Sequence, residues 1–111
     1  MPKIQVIETT KLPTGTARFQ DTIPALKEAY LAKVTAGKVV HTPNYSSIVN
    51  HGDGYTTITT TSVWNNSSDL EEFKNFVHSN YSAARAEYYH SVCKGHEGKN
   101  VGTIYTETEI D

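Results

Sequence analysis

Apolar and polar positions along the chain switch between two periods, and the switches mark six elements. Lys3 to Thr10 alternates, with Ile4 and Val6 on one face and Gln5 and Ile7 on the other, as a strand does. Pro13 and Gly15 close it. Phe19, Ile23, Leu26, Tyr30 and Val34 follow at spacings of four, three, four and four, the stripe of an amphipathic helix. Pro24 falls inside that stripe, so the helix either begins near Thr22-Ile23 or carries a kinked first turn from Thr16. Gly37 ends it.

Val39 to Asn50 and Tyr55 to Trp64 are β-branched and aromatic, and His51-Gly52-Asp53-Gly54 between them suits a tight hairpin. Pro43 cannot donate to a ladder, which predicts an edge strand or a bulge there. Ser67 or Ser68 opens a second helix, with capping-box spacing from Ser68 to Glu71. Its apolar face runs through Leu70, Phe73, Val77, Tyr81, Ala84, Tyr88 and Val92, and Ser79-Asn80 is a candidate break. Gly95 and Gly98 form a loop, and Val101 to Ile110 is the last strand.

The order strand-helix-strand-strand-helix-strand predicts an α+β fold, a ferredoxin-like βαββαβ sandwich. Four antiparallel strands would carry two helices on one face. No linker divides the chain, so residues 1–111 read as a single domain. The second sheet face would then lie bare, and its expected cover is a second subunit.

Composition changes this picture little. A net charge of −2 and 37 % hydrophobic residues argue for a globular chain without nucleic-acid affinity and without a membrane span. No apolar run of signal-peptide length follows Met1, so a soluble, cytoplasmic protein starting at Met1 is expected. Under that expectation the glycosylation patterns at Asn44, Asn66 and Asn80 carry no weight. Cys93 is the single cysteine and reads as a half-buried thiol near a helix end.

Thr56 to Trp64, the helix opening Asn65 to Asp69, Phe73-Lys74-Asn75-Phe76 and Ser79 form a strand-tryptophan-acidic-helix passage. It resembles the middle of a dimeric α/β barrel, the family that includes antibiotic-biosynthesis monooxygenases and stress-responsive barrel proteins. The resemblance implies a homodimer whose two sheets close a barrel, each monomer holding a ligand between sheet and helices. Members oxidise or cyclise aromatic polyketides without metal, degrade haem, or have no assigned activity. Fold alone does not choose among these. Many members carry a histidine three or four positions after Ser79, where this chain has Ser82 and Ala83.

Candidate chemistry gathers on the second helix. His78 and Arg85 lie two turns apart on one line at the edge of the apolar face. They are the candidate catalytic pair: Arg85 to hold a carboxylate, carbonyl or oxyanion, His78 to move a proton. As bland boundary residues they would only cover the core with their stems. Trp64 reads first as a core plug, and Tyr30, Tyr45, Tyr55 and Tyr105 as half-buried residues that could also orient a ligand carbonyl. His41, His51, His78, His90 and His96 show no metal-ligand spacing, so no metal and no cofactor are expected. His78 would be the axial candidate for haem.

Thr57, Thr59, Thr60 and Ser62 stand where large aliphatics would fill a core, so the sheet underfills its helices or turns hydroxyls to solvent or a dimer seam. A small apolar or amphipathic, acyl- or polyketide-like ligand would sit in the resulting gap. Its walls would be Phe19, Ile23, Tyr30, Trp64, Phe73, Val77, His78, Tyr81, Arg85 and Tyr105. The alternatives are a cofactor-independent monooxygenase or cyclase using His78 and Arg85, and a dimerisation module whose gap is filled.

Overall fold

A computed structural model of the chain describes residues 2–41 and 47–110, with His41 described by its backbone alone. The elements are β1 (Lys3–Pro13), a short 3-10 turn (Phe19–Asp21), α1 (Pro24–Thr35), β2 (Val39–His41), β3 (Ser47–Asn50), β4 (Tyr55–Trp64), α2 (Ser67–Cys93) and β5 (Gly102–Ile110). The fold is α+β, with one five-stranded antiparallel sheet and two helices. The strand order is β2-β4-β1-β5, with β3 pairing β4 as well. Residues 39–50, read above as one strand, thus give two described pieces on the outer edge of β4. Pro43 and Tyr45 lie outside the described residues.

Each helix joins two parallel strands that are separated by one antiparallel strand, α1 across β4 and α2 across β1. Register fixes which residues meet the helices. Ile4 pairs Trp64, Val6 pairs Ser62, Glu8 pairs Thr60 and Tyr105, and Val39 pairs Trp64. Side chains alternate across the sheet, so these form one face. The opposite face carries Ile7, Thr57, Thr59, Thr61, Val63 and Ile104.

The core on the helix face is Ile4, Val6, Val39, Trp64 and Leu70, with Tyr30, Val34 and Phe73 packed against it. Trp64 is 2 % exposed and meets both helices. Its ring centroid lies 6.3 Å from that of Tyr30 in α1 and 5.5 Å from that of Phe73 in α2.

Local chemistry explains the helix ends. Pro24 is the first residue of α1, where its missing N–H costs nothing. The residue before a proline avoids helical backbone, and Ile23 accordingly takes φ −122°, ψ 98° at the N-cap. At the other end, Gly37 has φ 75°. Gly37 N–H donates to the Val34 carbonyl and Lys38 N–H to the Lys33 carbonyl, the Schellman pattern that a left-handed glycine permits.

α2 opens at Ser67, as expected, and in place of the Ser68–Glu71 box its cap is Asn66. Its Oδ1 accepts from Asp69 N–H at 2.9 Å, and its Nδ2 donates to the Asp69 carboxylate at 3.1 Å. Ser79-Asn80 does not break the helix, which runs unbroken for 27 residues. Asn80 Nδ2 donates to the Phe76 carbonyl one turn back, so the amide is satisfied within the helix.

The hairpin forms as its glycines suggest. Gly52 and Gly54 have φ 78° and 95°, and Asn50 and Asp53 side chains accept from Gly52 and Tyr55 N–H. Cys93 is half-buried at the end of α2, its thiol 3.7 Å from the Val101 carbonyl.

The Asn66 cap generates a direct check. Asn66→Ala should lower the unfolding free energy by about 1 kcal/mol, and Asn66→Ser by much less, because serine caps about as well as asparagine and sets no charge against the Asp69 carboxylate. Urea denaturation followed by circular dichroism measures both, and equal losses would exclude the capping role.

Candidate functional site

α2 is held to the sheet at its two ends. At the first, Leu70 and Phe73 join the Trp64 core. At the second, the Tyr88 ring packs on Phe19 with centroids 5.6 Å apart, and its hydroxyl donates to the Ala17 carbonyl. Tyr89 and Thr103 share a hydroxyl hydrogen bond, and Thr103 another with Thr10 at 3.1 Å. Between these anchorages Ser82 to Glu87 are all exposed. Beneath them a cavity of about 1040 Å³ opens between sheet and helices, at the upper end of small-molecule sites, which run to about 1000 Å³.

The floor is sheet: Val6, Glu8, Thr60, Ser62, Trp64 and Tyr105. One wall is the 3-10 turn and α1, with Arg18, Phe19, Gln20, Asp21, Leu26 and Tyr30. The other is α2, with Phe73, Val77, His78, Tyr81, Arg85 and Tyr89. The threonine-rich strand divides by parity: Thr60 and Ser62 line the cavity, while Thr57 and Thr59 face the opposite side.

The structure brings Phe19, Tyr30, Trp64, Phe73, Val77, His78, Tyr81, Arg85 and Tyr105 together around this space. Ile23 is not among its walls. Its extended backbone before Pro24 takes it off the helical stripe, which corrects the expectation from spacing. Tyr55 lies at the hairpin end instead, its hydroxyl 2.8 Å from His96 Nδ1. His78 and Arg85 are both exposed on α2. The Arg85 guanidinium sits 5.8 Å from the centre of the Tyr89 ring.

Polar residues of the cavity outside the expected set include Glu8, Arg18, Gln20 and Asp21. Arg18 is 6 % exposed. Its Nε lies 2.9 Å from Asp21 Oδ2, and its Nη1 donates to Thr60 Oγ1 at 2.8 Å. Gln20 Nε2 donates to Glu8 Oε1 at 2.8 Å. Glu8 was within reach of the pattern, because continuing Ile4, Val6 by two puts a carboxylate on the inward face. Arg18, Gln20 and Asp21 lie in a non-periodic turn and gave no signal.

The phenols register the surroundings. Burial pushes Tyr30 up to about 12; the Ser62 hydrogen bond works against this and the charge of Glu8 adds to it. Tyr105 is 41 % exposed, and partial desolvation together with its hydrogen bond to Glu107 raises its phenol. Glu107 accepts from Lys74 Nζ at 2.7 Å, and Lys74 also reaches Glu71 at 3.1 Å. That hydrogen bond to Glu107 is the main reason the Lys74 ammonium is held above its usual range. Among the described residues no group of three or more His, Cys, Asp or Glu is placed to hold a metal ion, and no helix is long and apolar enough to cross a membrane.

No protein-family model matches the chain, and no curated protein matches it. Among solved structures it is similar to a hydantoinase/carbamoylase family amidase from Burkholderia ambifaria, at 10 % identity and a TM-score of 0.41. That similarity covers 99 % of this chain, which spans 28 % of the amidase chain.

Tyr30 yields a pH prediction with a definite sign. Its folded value near 12 exceeds the ordinary 10, so the native state keeps a proton that the unfolded chain releases. The associated stability is complete below about pH 10 and is lost as pH rises through about 12. Tyr30→Phe should therefore lose less stability than the wild type between those limits, measured by urea denaturation at a series of alkaline pH values. Parallel losses would contradict the burial of this phenol.

Proposed function

We propose that this chain is a ferredoxin-like, dimer-forming domain that binds a small apolar or amphipathic molecule between its sheet and its helices. The observation that carries this reading is the cavity itself: aromatic and aliphatic walls around Trp64, Phe73, Tyr30 and Val77, with convergent polar groups at Glu8, Arg18, Thr60 and Ser62. Apolar walls with a few placed polar groups are the common make-up of small-molecule sites. The strand order, with each helix crossing one antiparallel strand, supports the ferredoxin-like assignment.

The bare sheet face supports the dimer. Val40 and Ile104 are 67 % and 71 % exposed and Val49 is 45 % exposed, and all three share a face with Ile7 and Val63. Exposed aliphatics of this kind, set among Thr57, Thr59 and Thr61 on the same face, fit a surface covered by a partner, and a self-complementary sheet face suits a two-fold pair. Ile104→Lys should convert a sedimenting dimer to a monomer without unfolding it. A wild type that sediments as a monomer throughout the micromolar range would end the dimer reading.

Ligand binding is tested with a neutral apolar dye such as Nile red. Saturating dye at a hundredfold excess over Kd should stabilise the fold by about 2.7 kcal/mol and quench Trp64, the single tryptophan. Ala86 is exposed and lines the cavity, so Ala86→Trp should block entry while leaving the fold intact. A dye that leaves the melting temperature and the fluorescence unchanged, or binds the blocked variant equally well, would overturn the binding reading.

A further inference from the structure

The polar groups on the cavity floor are unequally committed, and the imbalance specifies the charge of the ligand. Arg18 spends Nε and Nη2 on Asp21 and Nη1 on Thr60. Lys74 is held between Glu71 and Glu107. Lys27 and Arg85 line the rim and are exposed to water, as is His78. Glu8 differs from all of these. It is half-buried in the middle of β1, accepts one hydrogen bond from the neutral Gln20 amide, and has no ion-pair partner among the described residues. An ionised carboxylate offers about four acceptor sites, so Glu8 retains acceptors, while each nitrogen of the Arg18 guanidinium already has a partner.

Glu8 is also bordered by aromatic rings. Tyr105 is its direct neighbour across β5. Tyr30 lines the same cavity as Glu8, and the Trp64 and Phe73 rings continue the surface beyond Tyr30. A carboxylate beside π-faces complements an organic cation in two ways, by a charge-assisted hydrogen bond and by attraction to the ring quadrupoles.

Resting on the reading of this space as a ligand site, we propose that the cavity takes a small hydrophobic amine. Its ammonium seats on the Glu8 carboxylate and its apolar body lies against Tyr30, Trp64 and Phe73. The cations at the rim stand in water, where their field is screened, and do not oppose the interior carboxylate.

The test uses three probes that share one body: naphthylethylamine, naphthylethanol and naphthylpropionate, titrated calorimetrically into the full chain. The amine should bind about tenfold more tightly than the alcohol, the gain expected of one charge-assisted hydrogen bond, and the propionate more weakly than either. Glu8→Gln keeps an acceptor for Gln20 and removes the charge, so it should erase the preference for the amine over the alcohol. In the wild type, added salt should weaken the amine and spare the alcohol, a readout independent of how the variant folds. Alcohol binding without an amine preference, or an amine preference that survives in Glu8→Gln or resists salt, overturns this inference alone. Binding of none of the three overturns it together with the ligand-site reading.

Discussion

Trp64 is the point at which the sheet and both helices are fastened together, and the cavity follows from where that point lies. It ends β4, pairs Ile4 on one side and Val39 on the other, and packs on Tyr30 of α1 and Phe73 of α2. With 27 residues at 1.5 Å each, α2 is about 40 Å long, so a single anchorage at its first turns cannot hold its length against the sheet. Phe19, Tyr88 and the Tyr89–Thr103 hydrogen bond supply the second. Between them the inward residues of β4 are Thr60 and Ser62, too short to reach the helix. The gap under the middle of α2 is the consequence.

Most of the architecture was legible because it follows from periodicity. The apolar stripe from Leu70 to Val92, the alternation in β1 and the glycine-rich hairpin each prescribe one element, and each element forms. The failures were local. Ile23 fits a helical stripe by spacing, but Pro24 after it demands extended backbone, and the backbone restriction outweighs the apolar pattern. Ser68 and Glu71 satisfy a capping box, yet Asn66 captures Asp69 first and with both ends of its amide. A cap is decided by which residue takes extended backbone at the helix start, and spacing alone does not carry that information.

The site was legible on its apolar side and obscure on its polar side for the same reason. Phe73, Val77, Tyr81, Tyr30 and Trp64 announce themselves through period. The turn at Arg18 to Asp21 has no period, and its meaning emerges only when Thr60, distant along the chain, is brought to Arg18 Nη1. Glu8 stands between these cases. Its parity with Ile4 and Val6 points it inward, but only the fold shows that the inward face at that level is a cavity with Gln20 on its side. His78 and Arg85, selected for helical alignment, lie at the exposed rim, so the interior chemistry belongs to the sheet and to the turn at Arg18 to Asp21.

The polar floor also explains how a chain of this size tolerates so large a space. The space opens to water along the exposed residues of α2, and water that enters it needs hydrogen-bond partners to stay ordered. Glu8, Thr60 and Ser62 provide them along one side only. Against the carbon faces of Trp64, Phe73 and Tyr30 the same water finds few hydrogen-bond partners, so displacing it there is favourable. The gradient from the Trp64 end to the Glu8 end thus stabilises the empty domain and, by the same asymmetry, favours an occupant that is apolar at one end and a hydrogen-bond donor at the other.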